Sequence, residues 1–245
     1  MRTALCLSGL VGGFRETYES IKKFWVDPYG SDVFIHTYTH VVGKDWEQQC
    51  PDEYFDELSE MYHPASMVVD FWPDKKPMFQ TDRFERNRSQ TTWVDRCLSM
   101  WYKWRECNCL KENYEKQHGF KYDMVIRCRF DTLFESVDSS VRAELEEHSL
   151  LIPKRDAWGN VSGDTPPWKL YGGLMDQFAI GTSETIDIYT AMYDCVDDYF
   201  REGQRFNPEE MLWHHVIDKR RLIHKRILVN YHFVPWGWEH IGYGL

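Results

Sequence analysis

The chain has 245 residues, and 29 Lys+Arg against 39 Asp+Glu leave a formal net charge of −10. That balance excludes a sequence-independent grip on nucleic acid, which needs a basic face, and disfavours an anionic membrane surface as partner. Aromatic residues make up 16% of the chain, with 11 Trp, 14 Tyr and 14 Phe. They have two readings: a tryptophan-rich core, or rings that line a cleft and stack on sugars or bases. The 7 cysteines are odd in number and irregularly spaced, and Cys107-x-Cys109 has no second pair. Neither a disulfide framework nor a zinc site follows from them. Buried, reduced thiols, with no signal peptide and no apolar run of the ~18 residues a span needs, predict a cytoplasmic protein without a membrane span. The Asn87-Arg88-Ser89 and Asn160-Val161-Ser162 sequons then carry no meaning.

Thr3 to Ser8 is a short apolar run closed by Ser8-Gly9, which predicts a buried strand. Phe14, Tyr18, Ile21 and Trp25 then fall on one helical stripe that ends at Pro28 and Gly30. Asp32 to Thr37 predicts a second strand, Tyr54, Leu58 and Met61 a short helix, and Ser66 to Phe71 a third strand. Residues 75–88 are polar and predict a loop. A long helix follows, with Cys97, Trp101, Trp104 and Asn108 on one face. Tyr122 to Phe130 predicts a strand, Leu150 to Pro153 another, and 155–175 a long loop rich in Gly, Pro and Trp. Loops of that length in a compact domain are usually functional or disordered. Gln177 to Gly181 predicts a strand. Ser183 would cap one helix bearing Ile186, Tyr189, Tyr193, Val196 and Phe200. Asn207-Pro208-Glu209-Glu210 is a helix start with cap, first-turn proline and capping-box glutamate. Ile227 to Val234 is the last predicted strand. Strands and helices alternate through the first 130 residues, so the expectation is one α/β domain with a mainly parallel sheet flanked by helices.

Several motifs are missing. There is no P-loop lysine, no G-x-S-x-G elbow and no H-E-x-x-H. Five constellations remain. Ser8 to Arg15 is a glycine-rich turn between a strand and a helix, either an ordinary tight turn or a place for backbone to approach a nucleotide. Strand alternation puts Arg127, Arg129 and Asp131 on one face, either as a structural ion pair or as an anion site with Asp131 free for a divalent metal. Tyr171-Gly172-Gly173 leads to Asp176, a solvated turn residue or a base for an acceptor hydroxyl. Glu209 is a helix-start charge or a second cleft carboxylate. His232, ahead of Pro235-Trp236, is a core histidine or a ligand.

The order of the ALCLSG strand, the DVFIHT strand, the helix ending in Trp104, Asn108, Leu110 and Lys111, then YDMVIRCRFD and GGLMDQFAIG, resembles the small GT-A-type glycosyltransferases of bacterial polysaccharide loci and large viruses. The likeness covers most of residues 3–218 and rests on several weak motifs in order. It implies one Rossmann-related domain of 1–245, with a nucleotide-binding half to about 131 and an acceptor half beyond it. It implies a nucleotide-diphosphate sugar donor and a glycan hydroxyl acceptor. Ser8, Gly9, Arg15, Arg127 and Arg129 would then lie at the donor diphosphate. Asp176 and Glu209 would be the catalytic carboxylates, and Trp168, Tyr171 and Gly173 would meet the acceptor, with Trp158 nearby. Asp131 matches the last Asp of the usual D-x-D motif, and His232 a C-terminal histidine ligand, for Mn2+ or Mg2+. Arg129 stands where the first Asp of that motif would be, so the arginines alone could neutralise the leaving diphosphate. The alternatives are a non-catalytic carbohydrate-binding protein and a glycoside hydrolase on paired carboxylates.

Overall fold

The apolar run Thr3–Ser8 (β1) is buried along its whole length, as a strand covered on both faces must be. A computed structural model describes residues 1–42, 47–79, 91–155 and 173–234. It contains a seven-stranded central sheet, mostly parallel and flanked by helices. From one edge the sheet runs β10 (Ile223–Ile227), β8 (Ser149–Pro153), β9 (Ala179–Gly181), β6 (Met124–Cys128), β1, β2 (Asp32–Tyr38) and β5 (Ser66–Asp70). Within it β9 pairs antiparallel with both β6 and β8, and every other pairing is parallel.

Alternation along β1 divides the core. Ala4 and Cys6 face one apolar layer with Phe34, Trp101, Trp104 and Ile152, whereas Leu5 and Leu7 face another with Phe14, Trp25, Ile126 and Phe178. The first layer is covered by α4 (Thr91–His118), α6 (Ser183–Thr190) and α7 (Met192–Arg201). The second is covered by α1 (Phe14–Ile21), α2 (Glu53–Tyr62) and an antiparallel ribbon of β7 (Thr132–Val137) with β11 (Val229–Phe233). Further elements among the described residues include a β3 (His40–Val42) and β4 (Glu47–Gln49) pair, α3 (Trp72–Lys75), α5 (Val141–Glu144) and α8 (Pro208–Trp213), which runs on into a π-helical turn, His214–Lys219. The fully buried Trp25, Trp101 and Trp104 give the core reading of the aromatic surplus its weight.

The first two strands and the four-residue stripe on α1 agree with expectation. Past Ile21 the helix widens into a π turn, Lys22–Val26, which keeps Trp25 in the core. Other boundaries differ for identifiable reasons. The stretch predicted as loop from residue 75 continues α3 as a 3-10 turn, Lys76–Phe79, because the Phe79 ring stacks on Trp72 at 5.9 Å. The predicted strand Tyr122–Phe130 is shorter, and Arg129 and Asp131 lie beyond its end. The helix expected after Ser183 is two helices broken at Ala191, and its cap is Thr182, whose hydroxyl accepts from the Thr185 amide. Ser183 instead accepts from the buried Lys111 ammonium at 2.6 Å. The last predicted strand, Ile227–Val234, is β11 along β7, and β10, the strand before it along β8, is unexpected; the exposed Leu228 separates the two. The helix start at Asn207 is as expected: its side chain accepts from the Glu210 amide at 2.9 Å.

None of the seven cysteines is bridged. Among the described residues no helix is long and apolar enough to cross a membrane.

Candidate functional site

Strand order reverses beside β1, which has β2 on one side and β6 on the other. In open α/β sheets the crevice outside the carboxyl ends at such a switch is where ligands bind. Ser8 and Gly9 close β1 there. The Gly9 carbonyl accepts from the Thr37 hydroxyl at 2.8 Å, tying the turn to β2, and the buried Ser8 hydroxyl has no partner among the described residues. Gly13 precedes α1 with φ +75°, and an added Cβ would lie 2.5 Å from Val234 and 3.5 Å from the Asp131 backbone. Glycine is required there to bring α1 against the end of β6.

Arg127 is almost fully enclosed, at 1% exposure. It shares the α4 face of β6 with Val125, and its guanidinium lies 3.9 Å over the Trp104 ring. Its Nη1 donates to the Asp176 carbonyl. Its Nε and Nη2 meet no strict hydrogen-bond geometry among the described residues, although the Tyr189 hydroxyl lies close enough to interact with the guanidinium as a hydrogen-bond partner. Burial pushes the guanidinium pKa down, with Arg129 adding to it, while Tyr189 and Asp176 oppose it. A guanidinium remains charged in proteins, so this is a buried cation with two donors open among the described residues.

Arg129 has a different surrounding. Its Nε and Nη2 donate to the two oxygens of Asp131 at 2.8 and 2.6 Å, and it covers the Phe233 ring at 4.1 Å. Both Asp131 oxygens are therefore engaged. His232 pairs with Glu135 at 3.2 Å on the outer ribbon and is 45% exposed. The two predicted metal ligands do not converge. Among the described residues no group of three or more His, Cys, Asp or Glu is placed to hold a metal. Among the described residues Asp131 and His232 keep separate partners, Arg129 and Glu135.

The reversed strand supplies the acidic side of the site. Ala179 opposes Arg127, so the residues just before β9 run out past the carboxyl end of β6. Gly173 has φ +140°, and a Cβ there would meet the Glu209 backbone carbonyl carbon at 2.5 Å. The Leu174 amide donates to the Glu209 carbonyl at 2.9 Å. This contact sets the approach to Asp176 against the first turn of α8, and explains Gly173 by its contact with α8. Burial pushes the Glu209 carboxyl up to about 7, and the charge of Asp176 adds to it. Burial also raises Asp176, against the pull of Arg127 and Arg129. The two carboxyls act as a pair that holds a proton close to neutral pH. Burial pushes the Cys97 thiol on α4 well above the usual thiol range, and both carboxylates add to it.

Two other predicted residues stand differently. Arg15 is on the outer face of α1, where Nε donates to both Glu57 oxygens at 2.8 and 2.9 Å and the guanidinium covers Tyr54 at 4.2 Å. It joins α1 to α2 and stays outside the cluster. Trp158, Trp168 and Tyr171 lie outside the described residues.

Sequence reading missed Lys103. Its face of α4 includes Ser99 and Cys107, at the i, i+4, i+8 spacing of one helical stripe. Cys107 reaches the Leu7 and Phe34 carbonyls at 3.5 and 3.4 Å, so that face lies flat on β1 and β2. Lys103 is consequently buried, with Nζ 3.3 Å from the Ser99 hydroxyl and 4.5 Å over the Tyr38 ring. A lysine on a sheet-facing stripe was the available signal.

No known protein family and no curated protein sequence matches this chain.

Proposed function

We propose that the chain is a glycosyltransferase built as one GT-A-like domain, moving a sugar from a nucleotide-diphosphate donor to a hydroxyl of a glycan acceptor. The observation that carries the reading is Arg127: a buried guanidinium at the switch point with two donors open among the described residues, within electrostatic reach of Arg129 and Asp176. A buried guanidinium whose donors are only partly met carries a desolvation cost, and an arriving anion lowers that cost. In the reaction the acceptor oxygen bonds to the anomeric carbon while the bond from that carbon to the diphosphate oxygen breaks. The electron pair stays on the diphosphate, where Arg127 and Arg129 meet the growing charge. The acceptor proton passes to the Asp176–Glu209 pair. Of the two, Glu209 is better matched, because a base works best with a pKa near the working pH. Charge neutralisation by side chains fits the Arg129–Asp131 pairing better than a metal held by Asp131.

The carboxylate pair alone would also suit a glycoside hydrolase, but that chemistry has no task for Arg127. Thermal-shift measurements with UDP and GDP, with and without Mn2+, test the reading. A nucleotide diphosphate should raise the melting temperature by mass action, and Arg127→Met should abolish the shift. Sugar binding without any nucleotide response would favour a carbohydrate-binding protein instead.

A further inference from the structure

We infer that Lys103 is a third ligand-facing cation of this site, and that it takes up a proton when a phosphorylated ligand binds. The inference rests on the anion-site part of the proposed function, and adds both a residue and a charge change to it. Three observations carry it. Lys103 is buried on the α4 face that lies on β1 and β2, beside the switch point. Its ammonium has the neutral Ser99 hydroxyl and the Tyr38 ring as its contacts, and no carboxylate among the described residues lies within ion-pair distance. Both arginines of the site act on it repulsively.

The groups that face it can be named element by element. Arg127 and Arg129 come from β6 and the turn after it. Tyr38 comes from β2, and burial keeps its phenol protonated. Ser99 comes from α4 itself. Asp131 is held by Arg129, and Asp176 acts on Arg127 and Arg129. Burial, with the two arginines adding to it, therefore pushes the Lys103 ammonium down to about 7. A lysine is the cation able to respond this way, since its charge is lost readily on burial and guanidinium charge is not. A phosphate or diphosphate placed among these three residues would reverse the sign of the local field. The ammonium form would then be favoured, and binding would be linked to uptake of the missing fraction of a proton.

The test is isothermal titration calorimetry of the full chain with inorganic pyrophosphate, between pH 7 and 8, in buffers of different ionisation enthalpy. Pyrophosphate and Glu209 also exchange protons, so the readout is the difference between wild type and Lys103→Arg. The expected difference is about half a proton at pH 7, rising toward one proton at pH 8. The wild-type affinity should fall about fivefold more than that of Lys103→Arg over the same interval. Lys103→Met, which fills the same space without charge, should bind roughly ten- to hundredfold more weakly, the usual effect of losing a charge-assisted bond. Equal proton exchange in wild type and Lys103→Arg, or unchanged affinity in Lys103→Met, would overturn the role of Lys103 and leave the arginine site standing. No binding of pyrophosphate to wild type would overturn both.

Discussion

Replacing Glu209 with glutamine should stabilise the protein at neutral pH while removing activity. The carboxyl of Glu209 is raised from 4.5 to about 7 in the fold by burial and by Asp176. As pH rises through the lower value the unfolded chain releases its proton, while the folded chain keeps it until the higher one. In that window the folded state holds more protons, so stability falls as pH rises. At about 1.4 kcal/mol per pKa unit, the penalty levels off above pH 7 at roughly 3 kcal/mol. Glutamine carries no charge and escapes it. The variant and wild type should thus melt together near pH 4 and diverge between pH 4.5 and 7. Above that they should differ by about 6–12 °C, at 2–4 °C per kcal/mol for a chain of this size. Differential scanning calorimetry at pH 4, 5, 6, 7 and 8 is the assay. Parallel curves at every pH would refute the reasoning, as would a variant less stable at pH 8.

Other outcomes follow from the same geometry. Gly173→Ala should lower stability by about 2 kcal/mol or more in urea unfolding, because strain at positive φ adds to a clash with the Glu209 backbone. Gly13→Ala should cost about 1–2 kcal/mol in the same assay, since the atom it meets is the end of the Val234 side chain. In a transfer assay Arg129→Ala should lower kcat about 10²–10³-fold with the fold retained by circular dichroism; a wild-type rate would remove it from the site. Lys111→Met should destabilise by roughly 3–5 kcal/mol, because Lys111 and Glu115 are both buried and Asp187 loses its 2.6 Å partner.

Much of the frame was legible because buried parallel strands are continuous apolar runs bounded by glycine or polar residues, as in Thr3–Ser8 and Asp32–Tyr38. The α8 start was legible because Asn207 and Pro208 each have a local job. What failed depended on distant partners. The alternation of Arg127, Arg129 and Asp131 continues past the point where β6 ends, so periodicity could not mark the end. β10 was not legible because Ile223–Ile227 carries His224, Lys225 and Arg226 in place of an apolar run, and only pairing with the distant β8 makes it a strand. Arg15 reads as a nucleotide contact until α2 delivers Glu57 to it across 42 residues. A run of three residues such as Ala179–Gly181 does not reveal its direction.

That direction has a consequence of its own. Because β9 runs against β8 and β6, the stretch from residue 154 to residue 178 departs from and returns to the same rim of the sheet. A parallel strand in that place would have sent Asp176 to the opposite rim, a strand length away from the arginines. The reversal turns one connection into a module of the rim. Residues can be gained, lost or exchanged between its ends while the seven-strand hydrogen-bond register stays fixed. Differences between proteins built this way should therefore accumulate in that stretch, with the sheet and the arginine side of the crevice held constant.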